Sequence, residues 1–254
     1  MSLFDLKGRV ALVTGGNGGI GLGMARGMAE AGAAIAVAGR NVGKSEAAAA
    51  ELAKLGVKTA VIEVDVADEA SCRRMVEATV ERLGRLDILV NNAGINIRKP
   101  ANELSLQEWR QVIDVNLTSA FICCHAAYPR MKAAGGGKII NIGSMLSIFG
   151  ASFAPAYGAS KGGIVQLTKS LAVAWAKDNI QVNAVLPGWI DTDLTRRARE
   201  EVSGLNAMVL MRTPAGRWGD PKDMSGIAVF LASKASDFVT GTAIPVDGGY
   251  SAQI

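Results

Sequence analysis

The chain has 254 residues, of which 49% are hydrophobic and 20% are charged, and this composition predicts an ordinary globular protein. No apolar run reaches the roughly 20 residues that a bilayer-spanning helix needs, and the first nine residues lack the long apolar run of a signal peptide, so we expect a cytoplasmic protein without membrane contact. The net charge of +4 is spread along the chain rather than collected in one tract, which argues against nucleic-acid binding and favours an anionic cofactor or substrate.

Histidine and cysteine are scarce. The chain has a single histidine, His125, which argues against most zinc sites and against Ser-His-Asp triads. The three cysteines do not have the spacing of metal ligands or of a disulfide framework, and the adjacent Cys123 and Cys124 are interpreted as packing residues on different faces of a helix. We therefore predict no metal site.

Short β-rich runs alternate with longer helical patterns along the chain. The predicted strands are residues 10–14, 34–38, 58–64, 86–90, 138–142, 181–186 and 243–246. The predicted helices include residues 21–31, 43–55, 70–83, 106–132, 156–177 and 222–232. Apolar strands joined by helices predict a parallel sheet covered on both faces. We therefore expect an α/β protein, in which residues 1–254 form a single-domain, doubly wound Rossmann fold with a seven-stranded parallel sheet.

Residues 188–219, here called the cover segment, interrupt this alternation. They contain no predicted strand, and their charged and apolar residues follow no steady period. Long irregular segments inside a compact domain are usually functional. We interpret the cover segment as a mobile cover over the active site; the alternative is a plain surface excursion.

A glycine-rich turn, residues 14–21 (TGGNGGIG), separates the first predicted strand from the first predicted helix. Glycines at such a turn let the backbone approach a pyrophosphate, whose charge the helix N-terminus attracts. The position of the turn between strand and helix therefore favours a dinucleotide site.

The glycine spacing and several later motifs, in order, resemble the short-chain dehydrogenase/reductase family. The later motifs are Asp65-Val66 after the third strand, the NNAG turn at 91–94, Ser144 after the fifth strand, YGASK at 157–161, and Pro187-Gly188 after the sixth strand. The resemblance runs from about residue 7 to residue 249 and implies a nicotinamide-dependent oxidoreductase acting on a secondary alcohol or ketone. The cofactor-binding residues that it implies are Gly15, Asn17, Gly19, Ile20, Gly21, Arg40, Asp65, Val66, Asn92, Gly94, Tyr157, Lys161, Pro187, Gly188, Ile190 and Thr192.

The end of the second strand bears on the choice between NAD(H) and NADP(H). A carboxylate there would accept hydrogen bonds from the ribose and repel a 2′-phosphate. This chain has Ala38-Gly39-Arg40-Asn41 instead, and a guanidinium is a natural partner for phosphate. We expect NADP(H) to be preferred, with NAD(H) possible; a solvated Arg40 is the alternative.

Tyr157 and Lys161 are four residues apart in a predicted helix, so their side chains share one face. A tyrosine must have its pKa of about 10 lowered to act as an acid or base near neutrality, and a neighbouring ammonium acts in that direction. The resemblance implies that Tyr157 exchanges the proton and that Ser144 hydrogen-bonds the reacting oxygen. It also implies that Lys161 lowers the tyrosine pKa and holds the ribose, and that Asn116 kinks its helix and supports a proton relay.

Two stretches, GSMLS at 143–147 and TPAGRWG at 213–219, resemble the gluconate 5-dehydrogenase and 2-deoxygluconate (2-keto-3-deoxygluconate) dehydrogenase branch of the family, as do the basic residues of 96–99. Arg98, Lys99 and Arg217 would suit a substrate carboxylate, which predicts a sugar acid. The alternatives are a broad-specificity ketone or 3-oxoacyl reductase and, more remotely, a non-catalytic NADP-binding sensor. The resemblance also implies a homotetramer, and the extensive apolar surface of the two longest predicted helices favours partner helices.

Overall fold

The computed structural model describes residues 2–253, and its centre is a parallel sheet of seven strands. The strands are β1 (Val10–Thr14), β2 (Ala34–Gly39), β3 (Thr59–Glu63), β4 (Ile88–Asn91), β5 (Gly137–Ile142), β6 (Ile180–Pro187) and β7 (Ala243–Val246). Their order across the sheet is β3-β2-β1-β4-β5-β6-β7, and every neighbouring pair is parallel. The predicted doubly wound α/β fold is confirmed, and each predicted strand lies within two residues of an observed one.

Helices cover both faces of the sheet. They are α1 (Gly19–Glu30), α2 (Val42–Ala53), α3 (Glu69–Leu83), α4 (Leu106–Ile113), α5 (Ser119–Ala133), α6 (Pro155–Trp175), α7 (Asp193–Glu201), α8 (Leu205–Arg212) and α9 (Ser225–Ala232). Apolar residues of α1, α2 and α9 pack on one face, and those of α3, α5 and α6 pack on the other. Burying both faces explains why the central strands are apolar at nearly every position.

The predicted helix over residues 106–132 is two helices joined by a π-helical turn, Asp114–Thr118. Single π turns are rare and tend to occur at functional sites. Asn116 lies buried in this turn, and the kink that the resemblance implies for its helix stays a prediction. The helix predicted over 222–232 likewise begins with a 3₁₀ turn, Pro221–Met224, before α9.

The cover segment is more regular than its sequence suggested. It contains α7 and α8, so the expectation of irregular chain was wrong for these residues. The helical period was hard to read because α7 is almost entirely polar, whereas α8 carries apolar residues around much of its surface. The mobility of the cover segment stays a prediction.

Cys123 and Cys124 are both buried, because α5 buries a wide arc against the sheet and α3. Among residues 2–253, no helix is both long enough and apolar enough to cross a bilayer.

Candidate active site

The strand order reverses its direction between β1 and β4, and a crevice forms at the carboxyl ends of strands at such a point. A cavity of about 430 Å³ lies there. It is lined by residues from the glycine-rich turn, from the loops after β4, β5 and β6, and from the cover segment. Of the residues predicted to bind cofactor or substrate or to act in catalysis, those that line it are Gly15, Asn17, Gly19, Ile20, Asn92, Gly94, Arg98, Ser144, Tyr157, Lys161, Pro187, Gly188, Ile190 and Thr192.

The glycine-rich turn is held tightly against the loop after β4. Asn92 Nδ2 donates to the carbonyls of Thr14 and Gly15 at 3.0 and 3.1 Å. A Cβ atom at Gly21 would lie 2.4 Å from the Gly15 carbonyl oxygen, so only glycine fits where α1 begins. The first turn of α1 carries no acidic side chain that would repel an anion. This cradle of backbone and helix N-terminus fits the pyrophosphate of a dinucleotide.

Ser144 and Tyr157 both line the cavity. Ser144 follows β5, and Tyr157 lies in the first turn of α6, close enough for the serine hydroxyl to act on the pKa of the phenol. The same hydroxyl accepts a bond of 3.1 Å from the amide of Leu146, which fixes the Ser144 rotamer. A serine and a tyrosine so arranged can hold one oxygen atom of a ligand between them.

Lys161 lies one helical turn after Tyr157, and its Nζ is 5.5 Å from the centre of the Tyr157 ring. Its Nζ donates to the carbonyl of Ile142 at 2.7 Å, which ties the ammonium to the end of β5. The side chain is buried without a carboxylate partner among residues 2–253. Burial lowers the pKa of Lys161 to about 8, so the ammonium form still predominates at pH 7.

The pKa of Tyr157 differs from the simple expectation that its positive neighbour lowers it. Burial raises the pKa of this phenol, while the nearby Ser144 hydroxyl and the charge of Arg98 oppose the rise. Desolvation disfavours the tyrosinate, and it outweighs both of these groups. The side chain is therefore a phenol at neutral pH, which is the form that donates a proton.

Asn116 organises the loop after β4 from its position in the π turn. Its Oδ1 accepts from the amide of Ile95 at 2.8 Å, and its Nδ2 donates to the carbonyl of Ile95 and to Ser160 Oγ, both at 3.0 Å. The side chain is 2% exposed. Asn116 thus holds the loop that carries Gly94 against α6, and its role in a proton relay to Lys161 stays a prediction.

Four residues predicted to bind cofactor do not line the cavity: Gly21, Arg40, Asp65 and Val66. Gly21 acts through close packing in the turn, as described above. Val66 is buried in the core behind β3, and Asp65 caps the following turn through a bond from the amide of Ala67 at 3.0 Å. Arg40 is exposed at the end of β2 and forms no ion pair with residues 2–253.

The three basic residues predicted to suit a carboxylate have different surroundings. Arg98 lines the cavity, but its Nη1 lies 2.7 Å from Glu201 Oε2 on α7. Lys99 was wrongly placed at the cavity, because its ammonium turns away to Glu108 on α4 at 2.5 Å. The prediction that Arg217 suits a substrate carboxylate was also wrong. Arg217 is exposed, pairs with Asp223 at 2.7 Å and anchors its own loop.

Sequence reasoning missed two cations that do line the cavity, Lys44 and Arg212. Lys44 on α2 pairs with Asp193 of α7 at 3.0 Å and lies beside Gly18 of the glycine-rich turn. Arg212 is the last residue of α8 in the cover segment, whose sequence shows no steady helical period. No local motif marks either residue, because each reaches the site from an element distant in sequence.

Within residues 2–253, no group of histidine, cysteine and carboxylate side chains could hold a metal ion.

Comparison with known proteins gives a consistent set of relatives. A family model described as enoyl-(acyl carrier protein) reductase matches residues 15–251. The 2-dehydro-3-deoxy-D-gluconate 5-dehydrogenase of Formosa agariphila is 43% identical over 100% of this chain and 97% of its own. The 5-keto-D-gluconate 5-reductase of Escherichia coli is 40% identical over 97% of both chains.

A solved structure adds a ligand-bound relative. The gluconate 5-dehydrogenase of Burkholderia cenocepacia, in complex with NADP and tartrate, superposes with a TM-score of 0.93 at 41% identity. The superposition covers 99% of this chain and 98% of that one. At this level of identity over nearly complete chains, the agreement concerns the sequence as well as the fold.

Proposed function

The chain belongs to the short-chain dehydrogenase/reductase family, and from this membership we propose that it transfers a hydride between NADP(H) and a secondary alcohol or ketone of a sugar acid. The observation that carries the proposal is the meeting of Ser144, Tyr157 and Lys161 in the cavity that the glycine-rich turn also lines. These residues supply the proton and the oxygen contacts that such a reaction needs.

In the reduction of a ketone, the phenol of Tyr157 donates its proton to the carbonyl oxygen. Ser144 donates a hydrogen bond to the same oxygen and stabilises the charge that develops on it. Lys161, fixed by its bond to the carbonyl of Ile142, stabilises the resulting tyrosinate and holds the ribose hydroxyls. Asn116 keeps the loop after β4 in place beside them. The nicotinamide, when bound, supplies or accepts the hydride.

NADP(H) as the preferred cofactor rests on Arg40. Its guanidinium is exposed and forms no ion pair with residues 2–253, so it is available for a 2′-phosphate beyond the end of β2. The relative from Burkholderia cenocepacia was solved with NADP. The remaining contacts proposed for the cofactor are the backbone of the glycine-rich turn, Asn92 and Gly94 after β4, and the loop from Pro187 to Thr192.

A sugar acid as the substrate rests on the relatives and on the charge of the cavity. The two curated relatives described above are named for reactions of ketogluconates, and the solved relative holds tartrate, a hydroxy acid. A broad-specificity ketone reductase is the second candidate, because apolar side chains such as Met145, Leu146 and Phe149 also line the cavity. The charge of the bound substrate distinguishes the two candidates.

Assembly into a homotetramer and a cytoplasmic location are further parts of the proposal. The support for assembly is large apolar side chains exposed on α5 and α6, namely Phe121, 49% exposed, and Val173, 84% exposed. The support for the location is the set of three buried free thiols, Cys72, Cys123 and Cys124, the form that a reducing compartment maintains.

The proposal is tested by turnover of the purified protein with aldonic acids and their keto forms, each offered with NADP(H) and with NAD(H). Faster turnover of gluconate-type acids than of matched neutral polyols supports the sugar-acid proposal. Equal turnover of acids and neutral ketones would leave the broad reductase. Cofactor binding without turnover of any compound in either class would instead indicate a non-catalytic NADP sensor.

A further inference from the structure

Four cationic side chains line the cavity, and three of them already have a strong partner. Lys44 pairs with Asp193, Arg98 pairs with Glu201, and Lys161 donates to the carbonyl of Ile142. Arg212 is the fourth, and no carboxylate of residues 2–253 lies within ion-pair distance of it. A half-buried guanidinium that lines a cavity and has no counter-charge has N–H donors to offer to an anionic ligand.

Two aromatic rings hold Arg212 in place. Its guanidinium carbon lies 4.4 Å from the centre of the Tyr250 ring and 5.0 Å from the centre of the Phe149 ring. Its Nη1 is also 3.2 Å from the Tyr250 hydroxyl. Stacking fixes the plane of a guanidinium without using most of its N–H donors. The side chain is therefore oriented before any ligand binds, and less conformational entropy is lost on binding.

Arg212 lies beside the loop that carries the catalytic serine. Phe149 is five residues after Ser144, and Tyr250 belongs to the same buried apolar cluster as Met145, the residue that directly follows Ser144. The rings that hold Arg212 thus come from the loop that carries Ser144 and from the segment clustered with it, and neither ring belongs to the glycine-rich turn. The position suits a group attached to the reacting substrate rather than a phosphate of the cofactor.

We infer that Arg212 binds the carboxylate of the substrate and is the main residue that selects acids over neutral polyols. The inference rests on the proposed function and deepens it. In the ketogluconates for which the relatives are named, the carboxylate is at one end of the carbon chain and the reacting carbon is near the other. With the reacting oxygen at Ser144 and Tyr157, the chain of such a substrate extends along the cavity toward Arg212.

The test measures binding of gluconate and of its neutral counterpart glucitol to the NADPH-loaded enzyme, in which an alcohol cannot react. The variants are Arg212→Gln, which removes the charge, and Arg212→Lys, which keeps it. Arg73→Gln, an exposed arginine paired with Glu69 on α3, is the matched control. Loss of a charge-assisted contact weakens binding by roughly tenfold to a hundredfold. We expect this loss for gluconate with Arg212→Gln, a smaller loss with Arg212→Lys, and no change for glucitol.

Thermal unfolding and NADPH affinity are measured on every variant, and unchanged values show that the fold and the cofactor site persist. If Arg212→Gln does not fold, Arg212→Lys carries the test, since a lysine cannot make the paired bonds of a guanidinium. The inference is overturned if the wild type prefers gluconate and the Arg212 variants keep that preference, or if they lose both ligands equally. A wild type that binds gluconate no better than glucitol would overturn the sugar-acid proposal itself.

Discussion

Arg98 and Glu201 form an ion pair of 2.7 Å that joins the loop after β4 to helix α7 of the cover segment. The Arg98 side chain is 9% exposed, and it also donates to the carbonyl of Leu194 at 3.1 Å. The pair connects two segments 103 residues apart in sequence. The pair thus connects the loop after β4 with helix α7, both of which contribute residues to the cavity, and a single substitution removes it.

We expect Glu201→Gln to loosen α7 by removing that pair. Since Glu201 is half exposed, the contact contributes about 1 kcal/mol, which corresponds to roughly fivefold faster hydrogen exchange of the α7 amides if they exchange by local opening. Hydrogen-exchange mass spectrometry over residues 193–201 measures the effect. The control is Glu200→Gln, a neighbouring exposed glutamate without an ion pair among residues 2–253. Equal exchange rates in the two variants would show that the pair does not restrain the cover segment.

Tyr157→Phe keeps the ring and removes only the group that exchanges the proton. We expect kcat to fall by about 10²- to 10⁴-fold, the usual contribution of general acid–base catalysis, while the variant still binds NADPH. Steady-state kinetics and NADPH fluorescence titration measure the two quantities. Tyr128→Phe, which removes a hydroxyl bound to Asp178 outside the cavity, is the control and should retain activity. Near-wild-type turnover in Tyr157→Phe would remove Tyr157 from its proposed role.

Arg40→Ala tests the choice of cofactor. Only NADPH carries the 2′-phosphate, so we expect its Kd to rise by roughly tenfold to a hundredfold, the effect of losing a charge-assisted bond, while the Kd of NADH changes little. Fluorescence titration with each cofactor measures both values, with Arg73→Ala as the surface control. A wild type that prefers NADH, or a variant that loses both cofactors equally, would contradict the assignment of Arg40 to the phosphate.

Lys161→Met tests the cost of burying a charge at the site. Because burial lowers the pKa of Lys161 from 10.5 to about 8, the unfolded chain binds this proton more tightly than the folded protein. The contribution of Lys161 to the free energy of unfolding therefore rises as the pH rises from about 8 to 10.5, and below pH 8 the full cost of about 3 kcal/mol is present. We expect the methionine variant to be inactive but more stable at pH 7, by about 1–3 kcal/mol once the lost bond to Ile142 is counted.

The advantage of Lys161→Met should shrink between pH 8 and pH 10.5, and denaturant unfolding across that range measures it. Lys169→Met, on an exposed position of the same helix, should show no such trend. A stability difference that does not change with pH would show that the gain comes from packing rather than from removal of a buried charge.

Val173→Asp tests the proposed tetramer. Val173 is 84% exposed on α6, and an exposed apolar side chain at a subunit contact would be replaced by a charge that must be desolvated. Light scattering at micromolar concentration should give four subunits for the wild type and fewer for the variant. A monomeric wild type would contradict the proposal, and an unchanged tetramer in Val173→Asp would exclude this face from the interface.

The strands could be predicted from sequence because burial on both faces leaves a simple signature, an apolar run between polar ends. The glycine-rich turn could be predicted for a similar reason: close approach between Gly21 and the Gly15 carbonyl admits no side chain. Such constraints are local, so the sequence within a few residues records them. The π turn at Asn116 is less visible, because nothing in the composition of residues 114–118 distinguishes it from an α-helical turn.

The charges of the cavity could not be predicted in the same way. Arg98 and Lys99 are adjacent, yet Arg98 faces the cavity and pairs with Glu201, whereas Lys99 faces α4 and pairs with Glu108. Whether a surface cation is free or neutralised depends on partners that the fold brings together from distant positions. For the same reason Arg212 was missed: its environment is made by Phe149 and Tyr250, which approach it only in the folded chain.

The π turn between α4 and α5 holds more residues per turn than the helices on either side of it. Each residue of an α-helix advances the face of the helix by about 100°, so the turn rotates α4 relative to the direction that an uninterrupted helix would give it. If residues 114–118 were α-helical at the same length, Val112, now fully buried, would swing about a quarter turn away from its contacts. The π turn therefore accommodates one residue more than an α-helical turn over the same rotation, and it lets α4 and α5 both keep their buried faces.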